Sequence, residues 1–277
     1  MSAVLTPAAR TPARVPALRV TQGRVLRSEF TKFRSLRSTM WTLLAAVVLM
    51  IGLGALFSAV TASQYHTFNW AERAAFNPVT TSLNGVIFAV VAFGVLGVLL
   101  TGGEYSTGMI RSSLAAVPRR LPVLWAKVAV FACSIFSVSL VASFISFFLG
   151  QALLNSHHLG VPITAHDALR SVIGAALYMT VAGLIGVALG ALLRNTAAGI
   201  TIFAAVFFVV PLLATLLPAS ISDHLAQYLP PNAGGAIWGG AAMVPNALSP
   251  WTGFALLCGY GATLIGAGAW RLRRSDA

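Results

Sequence analysis

Long apolar runs alternate with short polar connections along most of this chain. Six runs are long enough to cross a hydrocarbon layer of about 30 Å as helices. They are Trp41–Val60, Leu83–Thr101, Val123–Gly150, Val172–Leu193, Ala197–Leu217 and Trp251–Trp270. The third exceeds the need and is expected to tilt or to project beyond the bilayer. Before the first run the pattern changes. Leu26, Phe30, Phe33, Leu36 and Met40 recur at steps of four, three, three and four, which predicts one apolar stripe on a helix over 20–40. Arg24, Arg27, Lys32, Arg34 and Arg37 fill much of the remaining surface. Such a basic amphipathic helix suits an anionic membrane face, and it leads straight into the first span. Residues 1–19 hold Pro7, Pro12 and Pro16 and no period, a composition expected of a disordered tail. Residues 218–250 are apolar but cut by prolines and glycines, which predicts short half-inserted helices at the outer leaflet, shielded by the spans. Such a cap either gates an exit path or plugs the bundle.

Composition agrees with this picture. Of 277 residues, 57 % are hydrophobic and 9 % charged, whereas a soluble domain keeps roughly a quarter charged. The fold expected is an all-α polytopic membrane protein. Counting Lys and Arg over the connections gives 16 on one side and 2, Arg73 and Arg170, on the other. The excess marks the cytoplasmic side, so both termini are expected there, in a cell-membrane protein. The net charge of +12 then reflects orientation and anionic lipid rather than nucleic acid. A cleavable leader ending near Val60-Thr61-Ala62 is a competing reading, but the apolar run is long for that role. Cys133 and Cys258 both fall in apolar runs, as small packing residues do.

Candidate chemistry is sparse. Apart from Lys127, the six runs carry no ionisable residue. That speaks against transport coupled through intramembrane carboxylates and against an enzyme with clustered acidic metal ligands. His157, His158, His166 and Asp167 gather in one outer loop without ligand spacing. No catalytic, cofactor-binding or metal residue is assigned. A P-loop needs glycine directly before its lysine, and Lys32 and Lys127 follow Thr31 and Ala126. Any driving nucleotide would therefore sit on another polypeptide. Gly186 and Gly190 form a GxxxG pair that serves either packing within the bundle or dimerisation.

The richest polar passage is GGEYSTGMIRSSLAAVPRR, residues 102–120, on the inner side between spans two and three. Ile110, Leu114 and Val117 give a short helix a weak apolar face, and Pro118 ends it. Glu104 is placed near the start of that helix, where exposed amides favour a carboxylate. Arg111, Arg119 and Arg120 either face a partner or merely satisfy the charge bias.

These stretches, with LRSEFTKFRSLRSTMWTLL, QYLPPNAG and the terminal WRLRRSDA, resemble ABC-2 type permease subunits of bacterial ABC transporters from about Val20 to Ala277. The resemblance implies a six-helix half-transporter led by a connecting helix. Its partners would be a pair of cytoplasmic ABC ATPase subunits, a second permease copy or paralogue, and membrane lipids, with no nucleic acid. ATP and magnesium would be bound in the ATPase and no cofactor in this chain. By that resemblance a coupling helix over 103–117 docks on the ATPase, which marks Glu104, Tyr105, Gly108, Arg111, Pro118 and Arg119. The connecting helix maps onto Arg27, Glu29, Lys32, Phe33 and Arg34, and the Arg194-Asn195-Thr196 turn is a second, smaller contact. The outer segment resembles the family's re-entrant cap, with Tyr228, Pro230, Pro231, Asn232 and Gly234. The function implied is the membrane-spanning, non-enzymatic subunit of an ATP-driven exporter. A membrane scaffold for signalling or immunity that moves no cargo is the alternative from another class, and an intramembrane enzyme fits least.

Overall fold

A computed structural model describes residues 21–106, 120–242 and 244–274. The proposed tail at 1–19 and most of the proposed coupling helix lie outside the described residues. Helix α1 (Gln22–Ser35) precedes α2 (Arg37–Gln64), and the short helices α3 (Trp70–Ala75) and α4 (Pro78–Leu83) follow. Helices α5 (Val86–Ser106), α6 (Arg120–Asn155), α7 (Ala168–Leu193) and α8 (Thr196–Ala214) come next. The chain closes with the short α9 (Ala219–Leu225) and α10 (Pro230–Gly235) and the long α11 (Pro250–Arg274). No strand occurs among the described residues. Six helical segments are long and apolar enough to span a membrane: α2, α4 with α5, α6, α7, α8 and α11.

Five tryptophans mark the ends of this layer. Trp41, Trp125 and Trp270 lie exposed at the ends of α2, α6 and α11 that share one side of the bundle; Trp70 and Trp251 lie exposed towards the other. Indoles with an apolar body and a polar N–H favour the two water–lipid boundaries.

Helix α7 is the axis of the fold, with 78 % of its apolar window buried inside the protein. It packs most closely along α5, because glycines remove side chains at the seam. A Cβ on Gly186 would strike the carbonyl oxygen of Gly94, and one on Gly97 would strike that of Gly183. Gly190 meets Thr101 in the same way, and Thr101 Oγ1 donates to the Val187 carbonyl at 2.9 Å. The GxxxG pair thus joins two helices of one chain. Small residues at such seams let backbones approach and gain dispersion contacts that lipid does not offer.

The second span is longer than its apolar run suggests. It starts at Pro78, breaks at Asn84-Gly85, and resumes as α5. Carbonyls near that break receive side chains from α6: Ser146 Oγ donates to Ser82 O at 2.7 Å, and Gln151 Nε2 to Pro78 O at 2.8 Å. Buried backbone breaks survive at membrane depth only when supplied in this way. Helix α8 is also irregular, with a π-helical segment over Ala205–Val209 just before Pro211, whose ring cannot donate to the preceding turn.

At the amino-terminal side, the expected helix over 20–40 is divided. Leu36 is extended (φ −78°, ψ 112°), so Met40 belongs to α2. The face α1 buries is Val25, Glu29 and Phe33, while Phe30, Leu36 and Met40 remain exposed. The expected stripe is therefore displaced by about one position, since α1 docks on α6 through a charged residue.

Replacing Gly186 by alanine is expected to force apart α5 and α7 and to cost about 1–3 kcal/mol by overpacking. Gly266→Ala, where a Cβ meets nothing within 4 Å, serves as the neutral control. Thermal unfolding of both variants in lipid nanodiscs measures the difference.

Candidate functional site

The end of the bundle that carries α1 holds a set of paired charges among apolar helices. Lys127, one to two turns into α6, is 4 % exposed. Its Nζ donates to Glu29 Oε2 of α1 at 2.9 Å and to Glu104 Oε1 of α5 at 2.8 Å. Lys32 of α1 completes the set: its Nζ donates to Glu29 Oε1 at 3.0 Å and lies 3.6 Å from Glu104 Oε1. Two ammonium and two carboxylate groups balance formally. Burying any one alone would cost several kcal/mol, so each carboxylate is held where a lysine neutralises it. Burial acts to raise the Glu29 pKa, but Lys127 and then Lys32 outweigh it and hold the carboxyl below its ordinary value. Burial likewise acts to lower the Lys32 pKa, and Glu29 and Glu104 carry it above the ordinary lysine value instead.

Apolar contacts seat this knot. The Phe33 ring meets Phe131 of α6 edge-on at 6.3 Å, and Val25 packs with Val123 and Ala126. Gln22 Nε2 donates to Pro122 O at 3.1 Å. Helix α1 is thus fixed to the start of α6 along its length.

This arrangement corrects the placement of Glu104. The residue lies in the last two turns of α5, not at the start of a separate helix, and its partner is an ammonium rather than free amides. It also shows that Lys127 is not the lone ionisable residue in the spanning helices. The continuity of α5 through Ser106 is the physical reason: once the helix runs on, Glu104 faces inward at 8 % exposure. Its Oε2 has no hydrogen-bond partner among the described residues.

The other marked residues separate into groups. Arg27 and Arg34 are exposed on α1, away from the buried Glu29 and Phe33. The guanidinium of Arg194 lies over the Tyr105 ring, 5.2 Å from its centroid, at the turn between α7 and α8. Arg194 takes a left-handed conformation (φ 57°) and its N–H caps α7 on Gly190 O. Asn195 caps α8 by accepting from Ala198 N at 3.0 Å. Gly108, Arg111, Pro118 and Arg119 lie outside the described residues.

At the opposite end, α9 and α10 fold back over the bundle. Pro230 and Pro231 open α10, Asn232 Nδ2 donates to Ala226 O at 2.9 Å, and Tyr260 Oη donates to Tyr228 O at 3.0 Å. Gly234 is buried against Tyr178 and Leu257, where a side chain would collide with both. Beneath this cap lies a cavity of about 660 Å³ bounded by α5, α7, α8, α9 and α10. The cavity had no distinct sequence signal, because its walls come from five separate elements. Among the described residues no group of three or more metal-ligating side chains converges.

The family model described as "ABC-2 family transporter protein" matches residues 25–216, which contain most of α1, five of the six spans and the charged residues Glu29, Lys32, Glu104 and Lys127. A search of curated proteins yields no match.

The knot predicts a pH window for docking of α1. Glu29 contributes fully above the ordinary carboxyl value of 4.5, and that contribution is lost as pH falls through its lower docked value. Lys32 contributes fully below the ordinary value of 10.5 and loses its share as pH rises through its higher docked value. In a background with both cysteines replaced by alanine, spin labels at Arg27→Cys and Trp125→Cys should report one narrow distance across the whole interval between. Lys127→Met should broaden that distance at neutral pH, since stranding buried carboxylates costs about 3–5 kcal/mol.

Proposed function

The chain belongs to the ABC-2 family of transporter proteins, and on that premise we propose that it is the exporting half of an ATP-driven machine whose engine is a separate cytoplasmic ATPase. It is a multi-pass membrane protein and a permease component of an ABC transporter. Two copies, or this chain and a paralogue, form the path, and each is engaged by one ATPase subunit. The basic side of the bundle faces the cytoplasm, with both chain ends on it. Helix α1 lies along that face.

One observation carries the coupling: Lys127 ties α1, the end of α5 and the start of α6 into a single joint. Those are the two spans that flank residues 107–119. A partner pulling on the inner loop therefore moves α5, α6 and α1 together rather than one flexible strand. Coupling two sites requires an element that both sites bias, and rigidity at the joint is what passes the bias on. Tyr105 and Arg194 extend the joint to the α7–α8 turn. Arg111 and Arg119 supply polar contacts to the ATPase, and Arg27 and Arg34 meet lipid headgroups or the partner from α1. The α5–α7 seam carries displacement on towards the cap.

The test compares two variants in the assembled complex. Arg111→Ala should weaken retention of the ATPase during pull-down from membranes. Glu29→Gln should retain the ATPase but lower its lipid-stimulated turnover by about tenfold, equivalent to about 1.4 kcal/mol of lost coupling. Full retention and full turnover in both variants would refute coupling through this end. Retention of a non-ATPase partner, with no cargo movement, would favour the scaffold instead.

A further inference from the structure

The cavity beneath the cap has a chemistry that the packing of the helices does not explain. At about 660 Å³ it is the size of sites that take drug-like molecules. Its walls are chiefly apolar, with Ile87 on α5 and Phe207, Phe208 and Pro211 on α8. The π-helical segment Ala205–Val209 shapes the α8 wall. Such widened turns recur at functional sites because they re-aim side chains that a regular helix would stack.

One charged group on this wall has no partner within the chain. Asp223 of α9 lines the cavity, half-buried, and none of the ion pairs or hydrogen bonds among the described residues satisfies its carboxylate. Its neighbour His224 is engaged elsewhere, with Nδ1 3.1 Å from Ser220 O. Asn232, a side-chain amide on the wall, is already committed to Ala226 O.

We propose that this cavity binds an apolar organic cation. Asp223 supplies the counter-charge and the phenylalanines the surface for the apolar body. A cation near aromatic faces gains further from the ring quadrupole. An anion of the same shape is rejected, because it would meet an uncompensated carboxylate. Naming this molecule as the cargo rests on the transport reading above; the binding site itself does not.

The full chain in lipid nanodiscs, with empty nanodiscs as reference, tests this with three probes. Rhodamine 6G is a delocalised organic cation. Tetraphenylphosphonium is a second cation of different shape, and tetraphenylborate is its anionic counterpart of matching shape. Both cations should bind saturably and tetraphenylborate should not. Asp223→Asn should weaken both cations about tenfold. Equal binding of the borate and the phosphonium, or cation affinity indifferent to Asp223→Asn, would overturn the proposal. Saturable cation binding in a chain that captures no ATPase would leave the site standing and remove only its role in transport. Full ATPase coupling with no saturable cation binding would do the reverse.

Discussion

A lysine ammonium buried at one end of a lipid-embedded bundle restricts where its neighbours can go. Lys127 sits among apolar helices at 4 % exposure, and charge at that depth is stable only when countercharge and hydrogen bonds arrive together. Both carboxylates that answer it come from other elements, Glu29 from α1 and Glu104 from α5. The position of α1 is consequently set by ion pairing together with Val25 and Phe33, and not by the whole expected stripe. Phe30, Leu36 and Met40 stay exposed as a result. An ionic joint also differs from a greasy one in its response to load. Sliding an apolar face costs little until area is lost, whereas separating buried charges is resisted from the first ångström.

The two ends of the molecule are built to contrasting rules. At the end that carries α1, the elements are cross-linked by charge, caps and an arginine over a tyrosine. At the opposite end, the second span is broken at Asn84-Gly85, α8 widens into a π-helix, and the cap is made of short helices opened by prolines. Between them runs the α5–α7 seam, where glycine leaves backbone touching backbone and no side chain can absorb a shift by changing rotamer. Close-packed interfaces of this sort transmit displacement because they have little free volume. Charge cross-links gather at one end and irregular backbone at the other, with the cavity beside the irregular region.

Much of this was legible in the residues. Six apolar runs gave six spanning segments, and the family resemblance drawn from LRSEFTKFRSLRSTMWTLL and GGEYSTGMIRSSLAAVPRR agrees with the family match over 25–216. Hydropathy sees such spans because each is a local property of about 20 residues. The knot was not legible, for the opposite reason. Glu29 and Lys127 are 98 positions apart, and Glu104 carried a plausible local role that hid its distant one. Periodicity also misplaced the buried face of α1, since counting apolar residues cannot anticipate that a glutamate will be docked as deeply as the valine and phenylalanine beside it. The extra turns of the second span were masked by Thr80, Thr81 and Ser82, polar residues of which Ser82 is met by Ser146 and Gln151 of α6.

The use of acidic residues connects the two ends of the argument. The chain has 6 Asp and Glu against 18 Lys and Arg, so each carboxylate stands out in a positively biased molecule. Glu29 and Glu104 neutralise the buried lysine. Glu72 closes a capping box with Asn69, and Asp167 pairs with Arg170 at 3.1 Å. Asp276 lies outside the described residues. Asp223 alone among the described acids has neither a lysine or arginine beside it nor a backbone amide to cap, although it borders a largely apolar cavity. Structural duty accounts for the first four acids through contacts within the chain. The same reasoning applied to Asp223 leads outward, to a positive charge that the chain itself does not contain.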